Sequence, residues 1–165
     1  MNLMILTMKT KRDNIAEYIL YMWQMEDVVR AFSTDEAMQQ NQFLRDLQQM
    51  MRTEGVMVQG HVQLAQNAIS EAEELHAELL DTEASYRAAY MQLLPQLNLL
   101  KSKSDNPLQS DISMMFVFLY NIMLLHMQKK PVTPDTAALQ QQVSRLLAYL
   151  SRVYKENRDD NETTI

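Results

Sequence analysis

The sequence predicts an all-α fold: a single-domain helical bundle of about six helices, mostly up-and-down. The chain has 165 residues but only two glycines and four prolines. Gln, Leu, Met, Ala and Glu are abundant and form helices well, whereas few residues suit β-hairpin turns. Because 47% of the residues are hydrophobic, we expect a substantial core, and the length fits one domain spanning residues 1–165.

Composition also limits the class of protein. The chain has no cysteine, which excludes disulfides and thiolate sites. Its net charge of −6 argues against nucleic-acid binding, which needs clustered basic side chains to neutralise phosphates. The N-terminal residues MNLMILTMKTKR carry their charges after a short apolar run, whereas a secretory signal carries them before it. We therefore expect a cytoplasmic protein that binds neither nucleic acid nor membranes.

The first half of the chain carries several helix start and stop signals. Residues 1–12 are expected to form an N-terminal arm, after which Asn14 is predicted to cap a first helix that ends near Phe32. Ser33 and Glu36 have the spacing of a capping box and predict the start of a second helix. Gly55 predicts the end of that helix, because glycine adopts the left-handed conformation of a C-terminal cap without strain.

The second half is predicted to hold four helices. The third begins near residues 58–61 and is expected to break at Asp81–Thr82, because an unbroken helix would be too long for this domain. A fourth helix follows, and Asn106–Pro107 predicts the start of the fifth. The sixth is expected to start at Thr133–Pro134–Asp135 and to end in a frayed tail over residues 159–165.

The fifth helix, Ile112–Met127, is expected to be buried on every side. Thirteen of its sixteen residues are apolar or aromatic, the exceptions being Ser113, Asn121 and His126. A helix that is apolar all round is buried in a core or a membrane. This one is shorter than the roughly 20 residues that span a bilayer, so we predict a core helix. Asn121 and His126 are expected to form hydrogen bonds there.

The candidate metal ligands form no complete site. Glu73 and His76 have the Glu-x-x-His spacing of ferritin-like dimetal proteins, which need a second such motif and two further glutamates. The other histidines, His61 and His126, follow apolar residues at that spacing. On one straight helix His61 and His76 would lie about 22 Å apart. We therefore predict no cofactor, with Glu73 and His76 as the weak metal candidates.

Catalytic motifs are also missing. The chain has no cysteine nucleophile, no Gly-x-Ser-x-Gly elbow and no glycine-rich phosphate loop. We therefore assign no catalytic residue and favour a non-enzymatic protein.

The first helix contains the most unusual pattern. Glu26 falls on its apolar stripe, where a carboxylate needs a partner, and Arg30 lies at the favourable four-residue spacing. One interpretation is a structural Glu26–Arg30 pair. The other is a polar pocket whose mouth is the Gly55–His61 loop. The candidate ligand-binding residues are Tyr21, Trp23, Glu26, Asp27, Arg30, Gly55, Gly60 and His61.

These segments also carry a resemblance. Asn14–Arg30 (NIAEYILYMWQMEDVVR) and Met50–Leu64 (MMRTEGVMVQGHVQL) resemble a family of all-helical proteins from Bacteroides-type bacteria, a domain of unknown function. The resemblance extends over nearly the whole chain after the arm. It implies a small cytoplasmic helical protein, adds weight to the first helix and the glycine loop, and implies no activity.

Two functions are compatible with the sequence. The first is a non-enzymatic protein that acts by self-association, as a homodimer, or by binding a protein partner, since Met-rich surfaces adapt to partners. The second is a small-molecule or metal-binding bundle that uses the polar pocket beside the Gly55–His61 loop.

Overall fold

A computed structural model of the protein describes the backbone of residues 3–163 and the side chains of residues 8–162. All regular structure within this range is helical, which confirms the all-α prediction, but the helices number eight and not six. They are α1 (Leu3–Asp13), α2 (Ile15–Ala31), α3 (Glu36–Gln40), α4 (Gln42–Glu54), α5 (Gln63–Thr82), α6 (Ala84–Lys103), α7 (Asp111–Met127) and α8 (Pro134–Thr163).

The two additional helices lie in the first third of the chain. The expected N-terminal arm is instead the helix α1, apart from Met1 and Asn2, which lie outside the described residues. The expected second helix is divided into α3 and α4. Asp35, and not Ser33, caps α3 by accepting hydrogen bonds from two backbone N–H groups. Asn41 has extended backbone and caps α4. Each short polar side chain starts its own helix.

Other boundaries follow local signals. Asn14 caps α2 by accepting a hydrogen bond from the Glu17 N–H group, as predicted. The predicted break at residues 81–82 is confirmed, because α5 ends at Thr82 and α6 begins two residues later. Helix α7 begins after Ser110, whose hydroxyl accepts the Ser113 N–H group, and not after Asn106–Pro107. Helix α8 runs to Thr163, where a frayed tail is expected; residues 164 and 165 lie outside the described residues.

Backbone contacts divide the chain into two units, Met1–Ser70 and Glu71–Ile165. In the first unit, α1, α2 and α4 contact one another and α3 contacts α4. In the second unit, α6, α7 and α8 contact one another. A single domain therefore stays a prediction.

Helix α7 was predicted to be buried on every side, but only part of it is buried. Its first three turns are largely buried, with Met115 and Phe116 fully so. Asn121 and His126 are exposed instead of forming the expected buried hydrogen bonds. Exposure avoids the cost of burying a polar group without a partner. Within residues 3–163, no helix is both long enough and apolar enough to cross a membrane.

Candidate functional site

The first-helix carboxylate Glu26 is completely buried, with 0% of its surface exposed. Its Oε1 atom lies 3.0 Å from the Nδ1 atom of His61, and its Oε2 atom accepts a hydrogen bond of 2.8 Å from the Val62 N–H group. A buried carboxylate is unfavourable unless its oxygens are paired. Both oxygens of Glu26 are paired, and both partners come from the chain that leads into α5.

These contacts cap α5 from a distance. The residues just before this helix, His61 and Val62, lack the side-chain oxygen of a usual N-cap. Glu26 on α2 accepts the Val62 N–H group, and Glu54 on α4 accepts the Gln63 N–H group at 2.6 Å. Helix N-termini have unpaired N–H groups and favour nearby negative charge. Two carboxylates from other helices therefore replace the local cap.

Arg30, one turn after Glu26, binds the loop between α4 and α5. Its Nη2 atom donates to the carbonyl oxygen of Val56 at 3.0 Å and also to that of Gly60. Its Nη1 atom donates to Asp27 at 3.0 Å. The planar guanidinium can join two carbonyls because its donors point in fixed directions. Arg30 thereby fixes both ends of the segment from Val56 to Gly60.

The predicted Glu26–Arg30 pair is not formed. Glu26 pairs with His61, and Arg30 pairs with Asp27. Helical spacing brings two side chains within reach of each other, but it does not outweigh better partners. The loop supplies those partners, since it has backbone donors and acceptors that no helix or sheet satisfies.

Both glycines shape this loop. Gly55 ends α4 with φ of 72°, and the Val56 N–H group bonds to the Met51 carbonyl at 2.9 Å, which is the Schellman pattern. Gly60 has φ of 92°, and a Cβ atom there would lie 3.3 Å from the Cγ1 atom of Val56. We call residues 56–62 the pinned loop, because Glu26 and Arg30 hold it along its length.

The imidazole of His61 is the side chain of the pinned loop that could transfer a proton or bind a metal ion. It stacks on Trp23, with ring centroids 4.5 Å apart and an interplanar angle of 12°, and its side chain is 39% exposed. A carboxylate that orients a histidine is found in catalytic triads and behind metal ligands. Within the part of the chain that the structure describes, no group of three or more His, Cys, Asp or Glu residues is placed to hold a metal ion.

The sequence-predicted residues are only partly brought together. Trp23, Glu26, Arg30 and the pinned-loop residues Gly60 and His61 meet at one place. Tyr21 does not join them; its ring lies 5.9 Å from that of Phe43 on α4. The contacts of Glu26 and Arg30 hold the loop in place. The ligand-binding role of the predicted residues stays a prediction.

The weak metal candidates lie in the second unit and have other contacts. His76 is buried, and its Nδ1 atom lies 2.6 Å from the hydroxyl of Tyr86. Its ring also meets Tyr90 edge-on, with centroids 4.9 Å apart. Burial lowers the pKa of His76, and the negative charge of Asp111 offsets part of this effect. His76 is therefore part of an aromatic cluster.

This cluster continues to a charged pair. Tyr90 donates its hydroxyl to Asp111, and the Nζ atom of Lys101 lies 2.8 Å from the other carboxylate oxygen. Burial alone raises the pKa of Asp111, but the hydrogen bonds from Lys101 and Tyr90 outweigh it, so that this pKa is lowered. We call His76, Tyr86, Tyr90, Lys101 and Asp111 the side-chain network. Sequence spacing did not reveal it, because its members come from three helices.

The chain was compared with models of known protein families, and one model matches most of its length. A model described as Domain of unknown function (DUF4924) matches residues 4–42 and 33–161. The chain belongs to this family. The matched residues include the pinned loop with its holders on α2, and the side-chain network. Neither the curated proteins nor the solved structures yield a match.

Proposed function

We propose that the protein is non-enzymatic and acts through contacts with other proteins, in the first place by forming a homodimer through the pinned loop. The observation that carries this proposal is Val58, which is 89% exposed within a loop that is otherwise tightly held. A cytoplasmic setting in Bacteroides-type bacteria is part of the proposal; its support is the resemblance over residues 14–30 and 50–64.

Exposure by itself would be weak support, since single exposed apolar residues are common on protein surfaces. The distinguishing feature of Val58 is the number of hydrogen bonds that hold the loop on which it lies. Arg30 holds the carbonyls of Val56 and Gly60, and Glu26 holds the end of the loop. A loop that is already ordered loses little conformational entropy on binding. An apolar side chain on such a loop is suited to fill a pocket of a partner.

The test is the molar mass in solution, measured by size-exclusion chromatography with light scattering at micromolar concentration. We expect a dimer for the wild type and a monomer for Val58→Asp, because the charge would be buried at the interface. Leu108→Asp is the matched control, since Leu108 is also a loop residue and is 94% exposed. This control should remain a dimer. A monomeric wild type would contradict self-association, and a dimeric Val58→Asp variant would exclude the loop as the interface.

The alternative is a small-molecule or metal site at the same place. The geometry favours it less, because Glu26 and Arg30 direct their polar atoms at the loop. The exposed part of the His61 ring is the feature that favours it. Elemental analysis of the purified protein tests for a metal directly. If none co-purifies, and Glu26→Gln lowers only the melting temperature, the pocket interpretation fails.

A further inference from the structure

A cleft in the first unit lies apart from the pinned loop. Its volume is about 450 Å³, within the range of sites for small molecules. Residues of α1, α2 and α4 line it, among them Asp13, Glu17, Tyr18, Tyr21, Met22 and Phe43. Four of these six side chains are aromatic or apolar and two are carboxylates. The proposed function does not use this cleft, and of these six residues only Tyr21 belongs to the ligand-binding set that the sequence predicts.

The apolar wall consists mainly of aromatic rings. The rings of Tyr21 and Phe43 lie 5.9 Å apart at an interplanar angle of 46°. Tyr21 is 44% exposed although its neighbour Tyr18 is buried, so one ring remains open to the cleft. Aromatic faces carry partial negative charge and attract cations placed over them. The wall can therefore hold the apolar body of a ligand and also favour a positive charge.

The charge of the cleft has one sign. Asp13 and Glu17 line it, whereas none of its described lining residues is a Lys, Arg or His. Both carboxylates are exposed, and among the described side chains neither has an ion-pair partner. Asp13 is the last residue of α1, where the helix dipole already disfavours negative charge. A bound cation would offset this unfavourable interaction.

We propose that this cleft binds an organic cation with an apolar body, of the quaternary-ammonium or alkylamine class. Anions are repelled by the two carboxylates, and a neutral apolar ligand would leave them unused. A hydrated metal ion has no apolar surface to bury against the aromatic wall and would find too few fixed oxygen ligands. The exposed aromatic ring favours an apolar ligand, and the unpaired carboxylates favour a positively charged one.

The direct test compares two probes of nearly equal shape by isothermal titration calorimetry. Choline carries the positive charge, and 3,3-dimethyl-1-butanol has a carbon atom in place of the charged nitrogen. We expect choline to bind at least about tenfold more tightly than the neutral probe, with an affinity that falls as salt is added. Equal affinity for the two probes, or no heat of binding with choline at millimolar concentration, would overturn the proposal.

Variants then locate the binding. Glu17→Gln should weaken choline binding several-fold by removing a charge, and Phe43→Leu should weaken it by removing a ring while the wall stays apolar. Glu36→Gln is the matched control, because Glu36 is also an exposed acid in the first turn of a helix in the same unit. Its affinity for choline should equal that of the wild type. Unchanged binding by Glu17→Gln and Phe43→Leu would place the cation elsewhere and contradict the assignment.

Discussion

Glu26 in the first unit and Asp111 in the second are both carboxylates with two partners, but their partners differ in kind. Glu26 is fully buried and binds a backbone N–H group and the imidazole of a loop residue. Asp111 is partly exposed and binds two side chains, those of Lys101 and Tyr90. Backbone groups cannot turn away to find water, whereas an ammonium or a hydroxyl can. Glu26 should therefore be far harder to replace than Asp111.

The largest effect is expected for Glu26→Ala. The change leaves the buried Val62 N–H group and the His61 ring without their partner, and removing one member of a buried polar pair is strongly destabilising. The free energy of unfolding should fall by about 3 kcal/mol, measured by urea denaturation. Glu26→Gln, which keeps an acceptor for one of the two donors, should lose less.

The comparison with Asp111 supplies the control. Asp111→Asn keeps an acceptor for one of its two donors, Lys101 and Tyr90, and removes a partly exposed charge. Because the donor left over can turn to water, the loss should be only about 1 kcal/mol. An equal or larger loss for Asp111→Asn than for Glu26→Ala would show that the side-chain network, and not the pinned loop, is the more sensitive structure.

A smaller effect is expected for Gly60→Ala. Its φ of 92° is strained for alanine, and the new Cβ atom would press on Val56 at 3.3 Å. We expect a loss of about 2 kcal/mol in the free energy of unfolding. Gly55→Ala is the matched change, because it has φ of 72° but nothing within 4 Å of the added Cβ atom.

The Gly55 variant should therefore lose only about 1 kcal/mol, from backbone strain alone. If the two glycine variants were equally stable, the close approach of Gly60 to Val56 would contribute nothing to the shape of the pinned loop. Circular dichroism melts of both variants, side by side with the wild type, measure the difference.

The smallest expected effect concerns the pH dependence of the second unit. Because burial lowers the pKa of His76 in the folded protein, the unfolded chain takes up a proton first as the pH falls. Stability should therefore decline as the pH falls below about 6.5, the usual pKa of histidine. This contribution is fully present above that pH and is lost as the pH approaches the lowered pKa of the folded state.

The measurement is the free energy of unfolding between pH 7 and pH 5 for three proteins. His76→Gln should show a smaller decline than the wild type, since it cannot take up the proton. His126→Gln should behave as the wild type, because His126 is exposed. A decline of the same size in all three proteins would show that the burial of His76 has no consequence for stability.

Much of the helical framework follows from the sequence, because the signals are local. Asn14 and Gly55 act within one helical turn, and the structure has both caps where the sequence predicts them. The same local rules also led to errors. The competing polar residues Asp35 and Asn41 each start a helix, so the expected second helix is two helices. Where several neighbouring residues can act as an N-cap, the sequence alone does not decide which of them does.

The sequence predicted several of the residues that meet beside the pinned loop, but not Tyr21's separation from them and not how they pair. Trp23, Glu26, Arg30 and His61 meet, as the sequence suggests. The expected pairing of Glu26 with Arg30 rests on helical spacing, which considers only residues of one helix. The actual partner of Glu26 lies 35 residues away in the chain. The cleft lined by Asp13 and Phe43 was missed for the same reason, because it exists only where helices meet.

By itself, the sequence determined that this protein is helical, where several helices begin and end, and that a carboxylate on the apolar face of the first long helix needs a partner. These properties depend on residues within one or two helical turns. The tertiary structure alone decided that the partner is a loop, that Glu26 and Glu54 cap α5, and that Tyr21 faces a cleft. Such outcomes depend on which distant donors and acceptors are brought within about 3 Å, a distance that no local spacing encodes.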